Sequence, residues 1–171
     1  HMTRGAPCGS VVSEGRDYRK FYETERLRAA SFADKVRSGG ITGSTGKRFE
    51  RVVQIGIGGS DLGPRALYLA LEQWARERGR LQLKASFISN VDPDDANGVL
   101  AGIDPETTLF ILVSKSGTTQ ETLANEALVK AHLAKVPGID PAGHLVAVTS
   151  ETSPLAHNSA YLDSFYIDDY I

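Results

Sequence analysis

Two stretches of this chain share one grammar, and together they restrict its fold more than any other feature. In VVQIGIGGSDLGP (52–64) the apolar residues Val52, Val53, Ile55 and Ile57 are interrupted only by Gln54 and Gly56, and Gly58, Gly59, Ser60 and Asp61 then lead into a segment with helical spacing. In LFILVSKSGTTQET (109–122) five apolar residues run directly into a Ser/Gly/Thr turn and a second helical pattern. A short continuous apolar run, bounded by such a turn and followed by a helix, reads as a buried parallel strand feeding a helix N-terminus.

The remainder alternates in the same way. After a loose segment 1–13, apolar residues at 18, 21, 22, 29, 32, 33 and 36 predict an amphipathic helix, followed by a loop over 38–46. Strands are expected at 51–57, 83–89, 108–113, 144–149 and 164–167. Helices are expected at 62–78, 93–100, 119–134 and 153–160. The first of these would bury Leu62, Ala66, Leu67, Ala70, Leu71 and Trp74, with Pro64 in its first turn, where a missing N–H has no intrahelical partner anyway. The third would bury Leu123, Ala127, Leu128, Ala131 and Ala134, opened by a Thr118/Glu121 capping box.

Alternating strands and helices demand parallel strands joined by right-handed crossovers. The expected fold is α/β, a three-layer α/β/α sandwich around a five-stranded parallel sheet in the flavodoxin-like order 2-1-3-4-5. In that order the first and third strands are neighbours, and both special turns open on one crevice at the carboxyl ends of the strands. Residues 1–45 read as a tail and amphipathic helix, and 46–171 as the domain proper, without repeats or linkers.

Composition narrows the function. Hydrophobic residues make up 41% and charged residues 23%, an ordinary globular balance. A formal net charge of -2 offers no basic field for nucleic acid or anionic lipid, so any anion site is local. There is no apolar run of transmembrane length and no signal-peptide core. Cys8 is the one cysteine, and no Cys/His set has zinc spacing, so no metal and a reducing, cytoplasmic setting are expected. His1-Met2 reads as an expression scar. The apolar ending FYIDDYI reads as an internal stretch of a longer protein.

The two turns carry the chemistry. Helix N-termini present unpaired N–H groups and a partial positive charge. Gly58 and Gly59 allow close backbone approach; Ser60, Ser114, Ser116, Thr118 and Thr119 add hydroxyl donors; Lys115 adds a mobile cation. The bland alternative, plain corners with Ser or Thr as N-caps, is an even match for either turn alone. Their convergence favours a phosphate site, and few formal charges suit a sugar phosphate that must be released.

Other motifs fail on spacing. The dinucleotide fingerprint G-x-G-x-x-G/A meets Asp61 at its third position. Lys115-Ser116 is preceded by Ser114 and Gly46-Lys47 is followed by Arg48, so neither is a Walker loop. Asp92, Asp94 and Asp95 fit a helix start better than a magnesium site. Asp168 and Asp169 read as a polar strand end, Glu121 as a cap carboxylate, and His132, His144 and His157 receive no catalytic role.

IGIGGSDLGP (55–64) and VSKSGTTQETLAN (113–125) closely resemble the two signatures of the first sugar-isomerase (SIS) domain of the phosphoglucose isomerase family, with SNVDP (89–93) and FYIDDYI also similar. The resemblance covers about residues 36–171 and rests on the two motifs in order. It implies reversible glucose 6-phosphate to fructose 6-phosphate isomerisation in glycolysis and gluconeogenesis, with no cofactor. It places the phosphate of a hexose 6-phosphate on Ser114, Ser116 and Thr119, with Ser60 closing from the first turn and Lys115 facing the sugar phosphate; Gly59 and Thr118 join this set from the reading of the turns. It also implies a homodimeric whole enzyme, with a GGR arginine, a glutamate base and a ring-opening histidine beyond Ile171. Ser116-Gly117 departs from the bulkier residue common in the family, as in some bacterial members, without removing phosphate donors. No catalytic residue is assigned within this chain, so the expectation is phosphate binding without turnover. Three alternatives stay open: another SIS aldose–ketose isomerase or a dual-specificity phosphomannose/phosphoglucose isomerase, a non-catalytic SIS sensor module, and a structural α/β domain without a ligand.

Overall fold

The computed structural model describes residues 9–169. His1, Met2, Cys8 and the last two residues of FYIDDYI lie outside the described residues. Five parallel strands form the central sheet: β1 (Arg51–Ile55), β2 (Lys84–Ile88), β3 (Thr108–Val113), β4 (Leu145–Ser150) and β5 (Asp163–Ile167). Their order is β2-β1-β3-β4-β5, as the alternation predicted. The register sets Ile55 beside both Ile88 and Leu112, and Leu112 beside Ala147. Four α-helices flank the sheet: α1 (Tyr18–Ser38), α2 (Gly59–Glu77), α3 (Pro93–Ala101) and α4 (Gln120–Leu133).

Strand parity divides the core. Val53, Ile55, Ile88, Phe110, Leu112, Leu145 and Ala147 point to one face and meet Ala96 and Leu100 of α3 and Val129 and Leu133 of α4. Leu109, Val146 and Phe165 point to the other face and meet Phe32 and Val36 of α1. Burial of this kind stabilises by roughly 25 cal/mol per Å² of apolar surface, and it holds the strand ends in register. On the α1 side Ile111 and Val113 are only half-buried, so β3 is covered more completely on the α3/α4 face.

Helix α1 is stopped at both ends by local chemistry. Asp17 caps it by accepting from the amides of Arg19 and Lys20, and Gly39 ends it at φ 79°. It lies along the edge strand β5. Phe32 meets Phe165 edge-on at 5.3 Å, Arg28 donates to Asp163 (3.2 Å) and to the Ser164 carbonyl (3.0 Å), and the Tyr166 amide donates to Glu25 (2.9 Å). The carboxylate thus occupies an outward-facing amide of an edge strand, a device that blocks further strand pairing.

Several expectations need correction. The segment 1–13 is not wholly loose, because Val12–Ser13 pairs with Arg16–Asp17 in a two-residue hairpin. No helix forms over 153–160, which is a series of turns. The capping box does not form: α4 starts after Thr119, whose side chain makes no cap bond. The fully buried residues of α4 are Thr122, Asn125, Glu126, Val129 and Leu133; of the expected stripe, Leu123 and Leu128 pack half-buried against the core, and Ala127, Ala131 and Ala134 are exposed. Asn125 is satisfied by the Asn90 carbonyl (2.8 Å), and Glu126 by Tyr161 (2.6 Å) and Lys130 (2.6 Å). His144 closes a 3-10 turn (Pro141–His144) before β4 and is fully buried, with Nδ1 3.0 Å from the Thr108 carbonyl and Nε2 3.1 Å from the Ser44 amide.

The largest correction concerns α2. Leu62, Leu67, Leu71 and Trp74 are 45–66% exposed. The helix instead rests on the sheet through Asp61, Arg65 and Tyr68: the Tyr68 hydroxyl accepts from the Ala85 amide (3.0 Å), and its ring meets Phe87 at 5.9 Å. Apolar periodicity marks a face that prefers to be covered, and here it does not say by what.

Candidate functional site

Helix α2 begins at Gly59, three residues earlier than its apolar spacing predicts, so the Gly-Gly-Ser-Asp stretch is itself the first turn. Gly58 is its N-cap at φ 59°, ψ -123°, a conformation open to glycine, and supplies no side-chain cap. Apart from their chain neighbours and the helix's own backbone, nothing lies within 4 Å of where a Cβ would sit on Gly58 or Gly59.

This start places Pro64 in the second turn, not the first. Proline has no N–H, so the Ser60 carbonyl loses its usual helical donor. Gln54 supplies the replacement: its Nε2 donates to that carbonyl at 2.8 Å. The one polar side chain that interrupts the first apolar run therefore completes the hydrogen bonding of the turn above it. Asp61 is buried and paired with Arg65, Nε to Oδ2 3.0 Å, and the guanidinium lies 4.9 Å over the Phe87 ring. That pair fastens the first turn of α2 to β2, and it explains an aspartate where a nucleotide fingerprint has glycine.

The second turn leaves the adjacent strand at the same end. Ser114 is buried; its Oγ accepts from the Gly117 amide (3.2 Å) and lies 3.1 Å from Thr119 Oγ1. Ser116 is exposed and accepts from both the amide (3.2 Å) and the hydroxyl (3.1 Å) of Thr118. Ser116 thereby keeps its own proton for an outside acceptor. Lys115 is exposed, and its Nζ donates to the Asp169 carbonyl at 3.1 Å. Gly117, at φ 66°, lies so close to the next turn that a Cβ there would sit 2.1 Å from Ser153 Oγ.

The caps separate these two helices from the rest. Asp17 caps α1, Asp92 caps α3, and Asp104 and Asp140 cap the 3-10 turns Pro105–Thr107 and Pro141–His144, whereas α2 and α4 have no side-chain cap. Both uncapped ends stand at the carboxyl ends of β1 and β3, where the strand order reverses. An uncapped N-terminus leaves a partial positive charge unopposed; at α2 the Ser60 and Asp61 amides turn back onto the Ile57 and Gly58 carbonyls (3.2 and 3.0 Å). Gly59, Ser60, Ser114, Lys115, Ser116, Thr118 and Thr119 thus all lie on these two neighbouring turns.

Other parts of the molecule hold different chemistry. A cleft lined by Arg37, Arg48, Glu50 and Gln82 lies at the opposite, amino-terminal end of the sheet. Asp92 accepts from the Asp94 amide as a helix cap. Among the described residues no His/Cys/Asp/Glu cluster has the make-up of a metal site, and no helix is long and apolar enough to cross a membrane. Sequence reasoning overlooked Gln54, Thr149 and Ser153; a polar residue inside an apolar strand and the hydroxyl-rich TSETS at 149–153 were the available signals.

The arrangement is that of a parallel α/β domain whose switch-point crevice can accept an anion. The chain belongs to the phosphoglucose isomerase family, which it matches over residues 1–168. The likeness thus reaches further toward the N-terminus than the motifs implied. A glucose-6-phosphate isomerase of Treponema pallidum (strain Nichols) is 57% identical over 175 residues, covering 100% of this chain and 32% of that protein. One from Treponema denticola is 56% identical, covering 99% of this chain and 31% of its own length. The crystal structure of a glucose-6-phosphate isomerase from Chlamydia trachomatis superposes with a TM-score of 0.78 at 39% identity, over 96% of this chain and 29% of that one. The chain therefore spans about a third of the length of the curated relatives it matches.

Proposed function

We propose that this chain is the sugar-phosphate-binding part of a glucose-6-phosphate isomerase, which interconverts glucose 6-phosphate and fructose 6-phosphate in glycolysis and gluconeogenesis. The observation that carries the reading is the pair of uncapped helix N-termini, α2 and α4, at the one point where the strand order reverses. Membership of the phosphoglucose isomerase family supports a hexose phosphate as that anion.

In this reading the phosphate rests on the 114–119 loop. Backbone amides at the start of α4 and the Ser116 proton donate to it. Gly59 and Ser60 close from the α2 side, and Lys115 turns from the Asp169 carbonyl toward the added negative charge. Thr119 and Ser114 hold the loop's shape while sharing a proton that either can redirect. The sugar then extends over the crevice. Moving a proton between adjacent carbons needs a base beside them. The resemblance assigns that base, and the ring-opening group, to the part of the whole enzyme that this chain does not span. The whole enzyme acts as a cytoplasmic homodimer.

The test is equilibrium titration of the chain with fructose 6-phosphate, fructose and inorganic phosphate, together with a coupled isomerase assay. Binding of both phosphates in the millimolar range, about -4 kcal/mol, with no binding of fructose and no turnover, is the expected result. Failure of both phosphates to bind overturns the binding role, and isomerase rates of an intact enzyme overturn the division of labour.

A further inference from the structure

Beneath the 114–119 loop lies a second layer of hydroxyls that does not face the crevice. Thr149 is fully buried at the end of β4, and Ser153 is 8% exposed in the turn that follows. Thr149 Oγ1 is 2.7 Å from the Ser114 carbonyl, 3.3 Å from the Lys115 carbonyl and 2.6 Å from Ser153 Oγ. Ser153 Oγ in turn accepts from the Leu155 amide at 3.0 Å.

Thr149 is the donor in each of these contacts. A hydroxyl has one proton to donate, and a carbonyl has none. The Thr149 proton is therefore shared, and the Ser114 carbonyl is its nearest obligate acceptor. Ser153 Oγ, 2.6 Å away, accepts from the same Thr149 hydroxyl and from the Leu155 amide. Thr149 is thus a buried hydroxyl that ties the Ser114 and Lys115 carbonyls of the loop to the Ser153 turn beneath it. The backbone reinforces it: the Ser114 amide donates to the Val148 carbonyl (3.0 Å) and the Ser150 amide to the Lys115 carbonyl (2.9 Å). Gly117 rests directly on Ser153 with no room for a side chain.

We propose that Thr149 and Ser153 are positioning residues for the phosphate loop, holding its backbone in the anion-accepting shape through the Ser114 carbonyl without touching the ligand. The inference rests on the reading that the 114–119 loop holds the phosphate. It goes further in naming what keeps that loop preformed. If that tie is cut, the loop samples other shapes, and apparent affinity falls with the fraction that remains competent.

Three variants test it. Thr149→Val keeps the shape and removes the hydroxyl, Thr149→Ser restores it, and Ser114→Ala reports on the loop itself. Affinities for inorganic phosphate and fructose 6-phosphate are measured by titration, urea stability by circular dichroism, and loop order by amide exchange at 115–119. Thr149→Val is expected to weaken both ligands alike by a factor of about 5 to 30, the equivalent of one lost buried hydrogen bond. Faster exchange should appear in the loop, and Thr149→Ser should return both to normal. Wild-type affinity in Thr149→Val, with binding lost in Ser114→Ala, overturns the positioning role and leaves the phosphate reading standing. A fall in urea stability with affinity unchanged overturns it too. Absence of binding by the unaltered chain overturns both. If Thr149→Val does not fold, Thr149→Ala takes its place with the same expected loss and the same refuting result.

Discussion

The contact between Gln54 and Ser60 can be tested with a double-mutant cycle. Pro64 leaves the Ser60 carbonyl without its helical donor, and Gln54 Nε2 fills the position at 2.8 Å. Gln54→Leu keeps the shape and removes the donor. A neutral hydrogen bond contributes about 0.5–1.5 kcal/mol, and an orphaned buried acceptor costs about 1–3 kcal/mol. Gln54 is half-buried, so the lower part of that range applies, about 1–2 kcal/mol. At this chain length each kcal/mol lowers the melting temperature by roughly 2–4 °C. Pro64→Ala restores an N–H four residues after Ser60, and that amide can bond the same carbonyl. In the Pro64→Ala background the Gln54→Leu loss should therefore shrink by roughly half or more, a coupling of about 0.5–1.5 kcal/mol. Thermal and urea unfolding followed by far-ultraviolet circular dichroism measure all four corners. Additivity within about 0.3–0.5 kcal/mol, the behaviour of independent sites, would refute the idea that Gln54 stands in for the missing amide.

Four further outcomes follow from particular contacts. Gly117→Ala combines a left-handed φ of 66° with a Cβ 2.1 Å from Ser153 Oγ; unfolding experiments should show a loss of roughly 2–4 kcal/mol, with the phosphate site impaired. Leu67→Lys and Leu71→Lys, on the exposed face of α2, should each change stability by less than about 0.5 kcal/mol, whereas Leu112→Ala in the core should cost about 2–5 kcal/mol. His144→Ala removes the side chain that ties Ser44 to Thr108, and should cost about 2–4 kcal/mol and loosen the 40–46 loop to proteolysis. Burial, and then the bond to Glu126, push the Tyr161 hydroxyl well above its ordinary range. A group whose proton is held more tightly when folded contributes stability that is complete below its unfolded pKa, about 10, and is lost as pH rises beyond it. Urea midpoints should therefore fall more steeply above about pH 10 in the unaltered chain than in Tyr161→Phe; equal slopes would contradict this.

The sheet was legible because its strands are short apolar runs with clear ends. Five such runs separated by helical patterns leave few topologies, and parallel connection with right-handed crossovers does the rest. Helix faces were harder to read. On α4 the buried stripe contains Thr122, Asn125 and Glu126, polar residues admitted because Asn90, Tyr161 and Lys130 satisfy two of them. On α2 the apolar face is exposed, so spacing alone assigned it to the wrong side. The two turns were visible from their Gly, Ser and Thr content. Their inner support was not, since Gln54, Thr149 and Ser153 act through bonds to oxygens 6, 35 and 4 residues away, and such pairings exist only once the chain is folded.

The central claim is that the anion binds between α2 and α4 at the carboxyl end of the sheet. The direct measurement is a nuclear magnetic resonance titration of the isotopically labelled chain with fructose 6-phosphate, recording amide shifts residue by residue. The expected result is saturable shifts at 58–61 and 114–121, with little change elsewhere. Shifts centred on Arg37, Arg48 and Gln82, at the opposite end of the sheet, would contradict the account.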